Sequence, residues 1–407
     1  MAVAFAEIEA ARRAIGDAIV TTPSVASTTL SAITGAEIFL KLENLQHTAS
    51  FKERGALNKL STLSEEQARG GVIAASAGNH AQGVAFHAKR LGVPATIVMP
   101  RSTPFNKVRQ TGIHGAEIVL EGETLAEAAT AAQRLRRERG LTFIPPYDDD
   151  DVIAGQGTVA IELLEALPQL ETLVVPVGGG GLIAGVALAA KSIKPDIAIV
   201  GVESELYPTL HAALGGRRLL KGGPTVAEGI AVAEVGRRPL ELIRGRVDEV
   251  LLVGEAQIEA AINLFLEVEK TVVEGAGAAA LAAILAHRDR FAGRRVGMIV
   301  TGGNIDPRLL ASVILRGLVR GGRMVRLRVE IHDTPGVLAR VAGVIGAAGG
   351  DIVEVHHQRL FSDVPAKLAD LDLVVETRDA AQADAVIADL RAAGFATRRL
   401  SDRATGG

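Results

Sequence analysis

The chain has 407 residues, 48% of them hydrophobic and 22% charged, a globular composition with room for two or three domains. A formal net charge of -3 with both signs spread along the chain, 3% aromatic residues and no tryptophan argue against a nucleic-acid or anionic-membrane surface. The absence of cysteine excludes disulfides, thiolate zinc sites and a thiol nucleophile, and fits a reducing compartment.

In chain order, residues 1–19 read as an amphipathic surface helix, because Glu7 and Glu9 precede Arg12 and Arg13 whereas a secretory signal puts its basic residues first. Gly71–Ser76 is a buried strand, followed by a helix over Asn79–Leu91. Pro94–Met99 with a helix near Pro104–Thr111, and Ala116–Leu120 with a helix over Thr124–Arg139, repeat that unit. Short apolar β-branched runs that alternate with helices mark an α/β fold with a parallel sheet covered on both faces. A second series follows: strand Thr172–Val177, helix Leu182–Lys191, strand Ala198–Glu203, and a late strand Val296–Thr301 that ends in glycines. Two α/β domains with a cleft between them are expected, with ligands at the carboxyl ends of the strands. The apolar run Ala276–Ala286 falls short of the ~20 residues a bilayer span needs, so a soluble cytoplasmic protein is the expectation.

Gly321-Gly322 breaks this pattern. Met324–Ile331 alternates apolar and charged residues with period two, as a half-exposed strand of an antiparallel sheet does. A helix from Asp333-Thr-Pro-Gly336 to about Ala348, strands Ile352–Leu360 and Ala369–Thr377, a helix Ala381–Ala393 and a strand Ala396–Leu400 complete a βαββαβ, ferredoxin-like unit.

Four blocks carry candidate chemistry. Ser50-Phe-Lys-Glu-Arg-Gly55 places Lys52 before a helix, ordinarily a solvated charge; desolvation would instead make its amine a nucleophile able to form a Schiff base. Ser76-Ala-Gly-Asn-His80 joins a strand to a helix and presents backbone N–H groups to an anion, against the plainer reading of a Ser cap and a tight Asn turn. Gly178-Gly179-Gly180-Gly181-Leu182 lets backbone amides close on a phosphate. It also satisfies G-x-G-x-x-A through Gly179, Gly181 and Ala184, with Glu203 where a ribose-binding acid would sit, so a dinucleotide site is a rival. Thr301-Gly-Gly-Asn304 offers a hydroxyl at a strand end, or is a plain turn. Asp148–Asp151 read as helix-end acids rather than metal ligands. His356 and His357 face opposite sides of a strand and cannot chelate together.

Together with Lys41-Leu-Glu-Asn-Leu-Gln46, Gln82-Gly83 and Gly155-Gln-Gly-Thr158, these blocks resemble the threonine dehydratases (threonine ammonia-lyases), pyridoxal-phosphate (PLP) enzymes of the tryptophan-synthase-β-like fold type II. The resemblance covers roughly residues 5–320, and the unit with Asp333-Thr-Pro-Gly-Val-Leu338 resembles an ACT regulatory domain. It implies a catalytic region over 1–320, with a large domain of about 1–50 and 145–320 and a small domain of about 51–144, then an ACT-like domain over 324–403.

It also implies roles. Lys52 would carry the cofactor and act on the substrate α-proton, with Phe51 against the cofactor and Asn79 on its phenolic oxygen. Gly178–Leu182 would bind the phosphate, Thr301 would face the pyridine nitrogen, and Gly229 and Glu274 would border the ring. Ser76, Ala77, Gly78, Asn79 and His80 would hold the substrate carboxylate, with Ser76 also catalytic. Asp333, Pro335, Gly336, Val337 and Leu338 would take an amino-acid effector, isoleucine or valine, in a homotetramer or homodimer. No metal site is implied, since Tyr207 and Thr209 stand where ligands after Glu203 would be wanted.

The implied reaction converts L-threonine to 2-oxobutanoate and ammonia, and L-serine to pyruvate. Dehydration of serine or 3-hydroxyaspartate, or serine racemisation, is the near alternative. An NAD-dependent dehydrogenase or a non-catalytic amino-acid sensor is the distant one. Two positions depart from the family pattern: Ala49 stands where Gly is usual, and Thr301 where Ser is frequent.

Overall fold

The structure, a computed structural model, describes residues 3–215, 222–358, 365 and 367–400. It divides into two units, Met1–Asp306 and Pro307–Gly407.

Among its described residues the first unit holds ten strands: β1 (Ser24–Ser27), β2 (Glu37–Leu42), β3 (Val72–Ala75), β4 (Ala95–Met99), β5 (Glu117–Leu120), β6 (Thr142–Phe143), β7 (Thr172–Pro176), β8 (Ala198–Ser204), β9 (Glu249–Val253) and β10 (Arg295–Val300). They form a six-stranded sheet in the order β1-β2-β10-β7-β8-β9 and a four-stranded sheet in the order β5-β4-β3-β6. Every pairing is parallel except β1 with β2. The central strands are buried along their length, as expected of β-branched runs covered by helices on both faces. β1, β2, β6 and β9 are additions to the predicted set. The N-terminal helix is Phe5–Ile15 and turns Ile8, Ala11 and Ile15 into the core. Among the described residues no helix is long and apolar enough to cross a membrane.

Three helices of this unit pack backbone to backbone: Lys52–Ser61, Asp150–Ala166 and Gly181–Ile193. Glycine permits it. A Cβ on Gly155 would sit 2.6 Å from the Arg54 carbonyl oxygen, and one on Gly185 would sit 2.6 Å from the Gly157 nitrogen. The Gly155-Gln-Gly-Thr158 block is therefore a packing device that fixes where the Lys52 helix begins. Buried charge fixes the same helix further. Arg54 donates to both oxygens of Glu43 at 2.8 Å and to Glu162 at 2.6 Å, and Lys41 donates to Glu162 at 2.6 Å. Two cations and two carboxylates thus neutralise one another. Removing a single partner would leave an uncompensated buried charge, a loss of ~3–5 kcal/mol.

The second unit contains the helix Pro307–Arg320 and the predicted βαββαβ unit. Strands β11 (Met324–His332), β12 (Asp351–Gln358), β13 (Leu368–Glu376) and β14 (Ala396–Arg399) form an antiparallel sheet in the order β12-β13-β11-β14. Helices Val337–Ala347 and Ala380–Ala392 bury Val341, Ile345, Val386 and Leu390 with Leu327, Val329, Leu371 and Leu373 of the sheet. Arg326 and Arg328 of β11, alternate to those core residues, meet Asp372 in ion pairs. The last two residues of the predicted strand Ile352–Leu360 lie outside the described residues.

Candidate active site

The carboxyl ends of β3, β7 and β10 open into one cavity of about 280 Å³ in the first unit. It brings together Phe51, Lys52, Ser76–His80, Gly178–Leu182, Gly229, Glu274 and Thr301, which the sequence spreads over some 250 positions.

Lys52 opens its helix and donates Nζ to the Pro146 carbonyl at 2.9 Å, with the Phe51 ring centroid 5.2 Å away. Burial pushes this amine down to about 8, against the opposing pull of Glu274. A depressed ammonium pKa yields a larger neutral, nucleophilic fraction near neutrality. The Lys52 loop is tied to the end of β10. The Phe51 nitrogen donates to the Thr301 carbonyl at 3.1 Å, Ser50 bridges Gly302, and Gly303 donates to the Ala49 carbonyl at 2.9 Å. Ala49 lies at φ 54, a left-handed conformation that glycine adopts without strain.

Two helix N-termini meet in the cavity. Asn79–Leu91 starts after Gly78 and Gly181–Ile193 after Gly180, which lies at φ 90; neither start has a side-chain cap. The first-turn N–H groups of each are free for an anion. Ser27, Ser64, Thr124 and Asp149 cap four other helices of the unit, and others, such as Phe105–Gly112 and Gly275–Ala286, also start without a side-chain cap. The starts at Asn79 and Gly181 both open into the cavity. Ser76 is not the cap. Its Oγ accepts from the Gly78 nitrogen at 3.2 Å and so shapes the turn. The His80 imidazole turns away, with Nε2 2.9 Å from the Ile144 carbonyl oxygen, and burial pushes its pKa down to about 3. It stays neutral, so this turn attracts anions through its backbone.

Glu274 lies across the cavity from Lys52 and accepts from Asn79 Nδ2 at 2.7 Å. Burial raises its carboxyl to about 7 despite that hydrogen bond. Gly229 and Gly302 make room for it, since a Cβ at either would come within 3.3 and 2.6 Å of Glu274 Oε1.

Several polar lining residues had no role implied by the sequence, among them Lys107, Tyr147, Glu228 and Asn304. A Cβ on Gly179 would overlap the Tyr147 ring, which explains glycine there. Lys107 and Glu228 form an ion pair. Of these four, only Asn304 was visible in a motif. Tyr147 follows a two-residue strand too short to read, and the Lys107–Glu228 pair joins distant segments.

Other sequence candidates fall elsewhere. Glu203, the acid of the dinucleotide reading, is buried against the helix Thr209–Leu214, where it accepts from Thr209 Oγ1 at 3.0 Å, Leu210 N at 2.7 Å and His211 N at 2.9 Å. Its carboxylate is spent on capping, and the rival loses its ribose contact. Asp149 caps its own helix, and Asp148 accepts from the Arg237 and Arg238 nitrogens. In the second unit Gly336, at φ 85, opens the helix Val337–Ala347 without a side-chain cap; Val337 is buried and Leu338 exposed. Asp333 and His357 approach to 3.6 Å.

Residues 15–302 match the family described as pyridoxal-phosphate dependent enzyme. The chain belongs to that family. Residues 325–395 match the ACT domain. The L-threonine ammonia-lyase of Thermotoga maritima is 44% identical over 394 residues, 96% of this chain and 98% of that protein. Among solved structures, maize serine racemase superposes with a TM-score of 0.73 at 35% identity, covering 79% of this chain and 99% of that one. Threonine deaminase isoform 2 of Solanum lycopersicum superposes with a TM-score of 0.71 at 38% identity, covering 76% and 90%. This PLP-dependent chain thus joins the PLP-enzyme fold read from its sequence to a C-terminal ACT domain.

Proposed function

We propose that the chain is a threonine ammonia-lyase that converts L-threonine to 2-oxobutanoate and ammonia, and that also accepts L-serine. One observation carries the reading: a lysine of depressed pKa shares a single cavity with two uncapped helix N-termini. That set fits a cofactor with a phosphate and a substrate with a carboxylate. The 44% identity to the Thermotoga maritima enzyme over nearly the whole chain supports the substrate.

Pyridoxal phosphate, when bound, supplies the electron sink for breaking bonds at the substrate α-carbon. The chain's own residues position and move protons around it. Lys52 Nζ, as the neutral amine, would bond covalently to the cofactor, and once displaced by the substrate amine it would be free to take the α-proton. The N–H groups of Gly178–Leu182 hold the phosphate, and those of Ser76–His80 hold the substrate carboxylate. Phe51 would pack beside the cofactor, and Asn79 would donate to its phenolic oxygen. Thr301, which lines the cavity, would offer the cofactor's ring nitrogen an uncharged hydroxyl in place of a charged carboxylate. Gly229 and Glu274 close the ring's other edge. Purified protein loaded with PLP and given L-threonine should form 2-oxobutanoate; PLP-loaded protein that forms none contradicts the reading.

A second reading, serine dehydration or racemisation, is favoured by the likeness to maize serine racemase. Side-by-side turnover of threonine, serine and 3-hydroxyaspartate separates the two. For the ACT domain we propose an amino-acid effector, isoleucine or valine, at Asp333, Pro335, Gly336, Val337 and Leu338 in a homotetramer or homodimer. The uncapped start of the helix at Val337 supports a carboxylate there. Threonine kinetics that ignore both amino acids would overturn this assignment.

A further inference from the structure

We propose that Asn304 is a positioning residue that locks the side-chain amide of Asn79 in one of its two orientations, so that an N–H rather than the carbonyl oxygen faces the cofactor. This rests on the assignment of Asn79 to the cofactor made above.

An asparagine amide can sit two ways, rotated by half a turn, with nearly the same shape but with donor and acceptor exchanged. The surroundings of Asn79 remove the choice. Asn304 Nδ2 donates to the Thr48 backbone carbonyl at 2.7 Å. That oxygen can only accept, so the atom of Asn304 beside it is nitrogen. The same nitrogen lies 2.6 Å from the other asparagine's Oδ1 and spends its second hydrogen there. The Asn79 oxygen is thereby pinned toward Asn304, and its Nδ2 lies 2.7 Å from Glu274 Oε1. Of the two N–H bonds on that nitrogen one goes to Glu274, and the other remains for the cavity that Asn79 lines.

The scaffold under this chain is rigid. The Glu274 nitrogen donates to the Gly302 carbonyl at 3.0 Å, and Gly303 is tied to Ala49. A Cβ on Gly302 would fall 3.2 Å from Asn79 Nδ2, so glycine there admits the amide. Donation therefore runs outward from Asn304, to the Thr48 carbonyl on one side and through Asn79 to Glu274 on the other. Without Asn304 the amide of Asn79 can rotate, and in the flipped state its oxygen takes the nitrogen's place toward Glu274 and the N–H is lost to the cavity.

The test is a double-mutant cycle on cofactor binding by the full-length apoprotein, titrated with pyridoxal 5'-phosphate and read by cofactor absorbance. Asn79→Ala should weaken binding by about tenfold, the loss of one hydrogen bond to a charged partner, and shift the cofactor band. Asn304→Ala should shift the band the same way and weaken binding several-fold, and the double variant should be no worse than Asn79→Ala alone. Effects of the two substitutions that simply multiply, or a wild-type band and affinity in Asn304→Ala, overturn the proposal. If Asn304→Ala does not fold, Asn304→Asp, of the same shape but unable to donate twice, is read in its place against the same outcomes. An Asn79→Ala protein with wild-type affinity and spectrum is a different result: it overturns the assignment of Asn79 to the cofactor, and the proposal with it.

Discussion

Replacing Gly155 by alanine tests how far the backbone packing of three helices sets the position of Lys52. The added Cβ would lie 2.6 Å from the Arg54 carbonyl oxygen and 2.7 Å from Gly55 Cα. Carbon contacts are comfortable at roughly 3.5–4.0 Å, so the two helices must part by about 1 Å. Both neighbours are backbone, and neither can turn aside as a side chain can. Arg54 cannot follow freely either, since Glu43 and Glu162 hold it in a fully buried network. Overpacking of this kind costs about 1–3 kcal/mol. A displacement of ~1 Å at a catalytic group costs roughly 100-fold in rate. Thermal unfolding and threonine turnover of the PLP-loaded protein measure both quantities. Gly112→Ala is the control, because a Cβ there meets nothing closer than Ile118 at 4.0 Å. It should stay within about 0.5 kcal/mol of wild type. A Gly155→Ala protein with wild-type melting temperature and turnover would refute the packing argument.

The pKa of Lys52, about 8, places its titration within reach of ordinary buffers. Capture of PLP by the apoprotein should rise steeply up to about pH 8, where half of the amine is neutral, and flatten at roughly pH 9 and above; a rate still climbing at pH 10, as for an exposed lysine of pKa about 10.4, contradicts it. Ala49→Gly should relieve left-handed strain of about 1–2 kcal/mol, less the ~0.5–1 kcal/mol entropic cost of glycine, and so stabilise the protein slightly in urea unfolding; destabilisation would show that the alanine is not strained. Glu228→Gln should release Lys107 for a second substrate carboxylate and raise kcat/KM for 3-hydroxyaspartate relative to threonine by about tenfold, given ~1.5–3 kcal/mol for a hydrogen bond to a charged group; an unchanged ratio means that Lys107 does not face the substrate.

Much of this architecture was legible in the sequence, because the parallel strands are continuous apolar runs and the βαββαβ unit alternates cleanly. The missed strands fail for physical reasons. β6 has two residues, and β1 is half exposed with little apolar content. The candidate site was legible where chemistry forces a local signature. Closely packed glycines at Gly178–Gly181 and the Ser76–His80 turn are such signatures, and each falls on the cavity.

What stayed hidden depends on contacts between distant segments. The Gly155 block could be noticed but not explained, because its purpose is the approach of another backbone. Ala49 stood out as a missing glycine, and only its positive φ shows why glycine suits the position. Glu203 left a rival open, because a buried acid at a strand end serves a ribose and a helix N-terminus equally well on paper. The short helix that follows decides for the second.

The central claim is that Lys52 is the lysine that carries the cofactor. Borohydride reduction of the PLP-loaded protein, followed by peptide mass spectrometry, tests it most directly. The account predicts a phosphopyridoxyl group on the peptide that contains Lys52. Labelling of Lys107, which also lines the cavity, with Lys52 unmodified would contradict it.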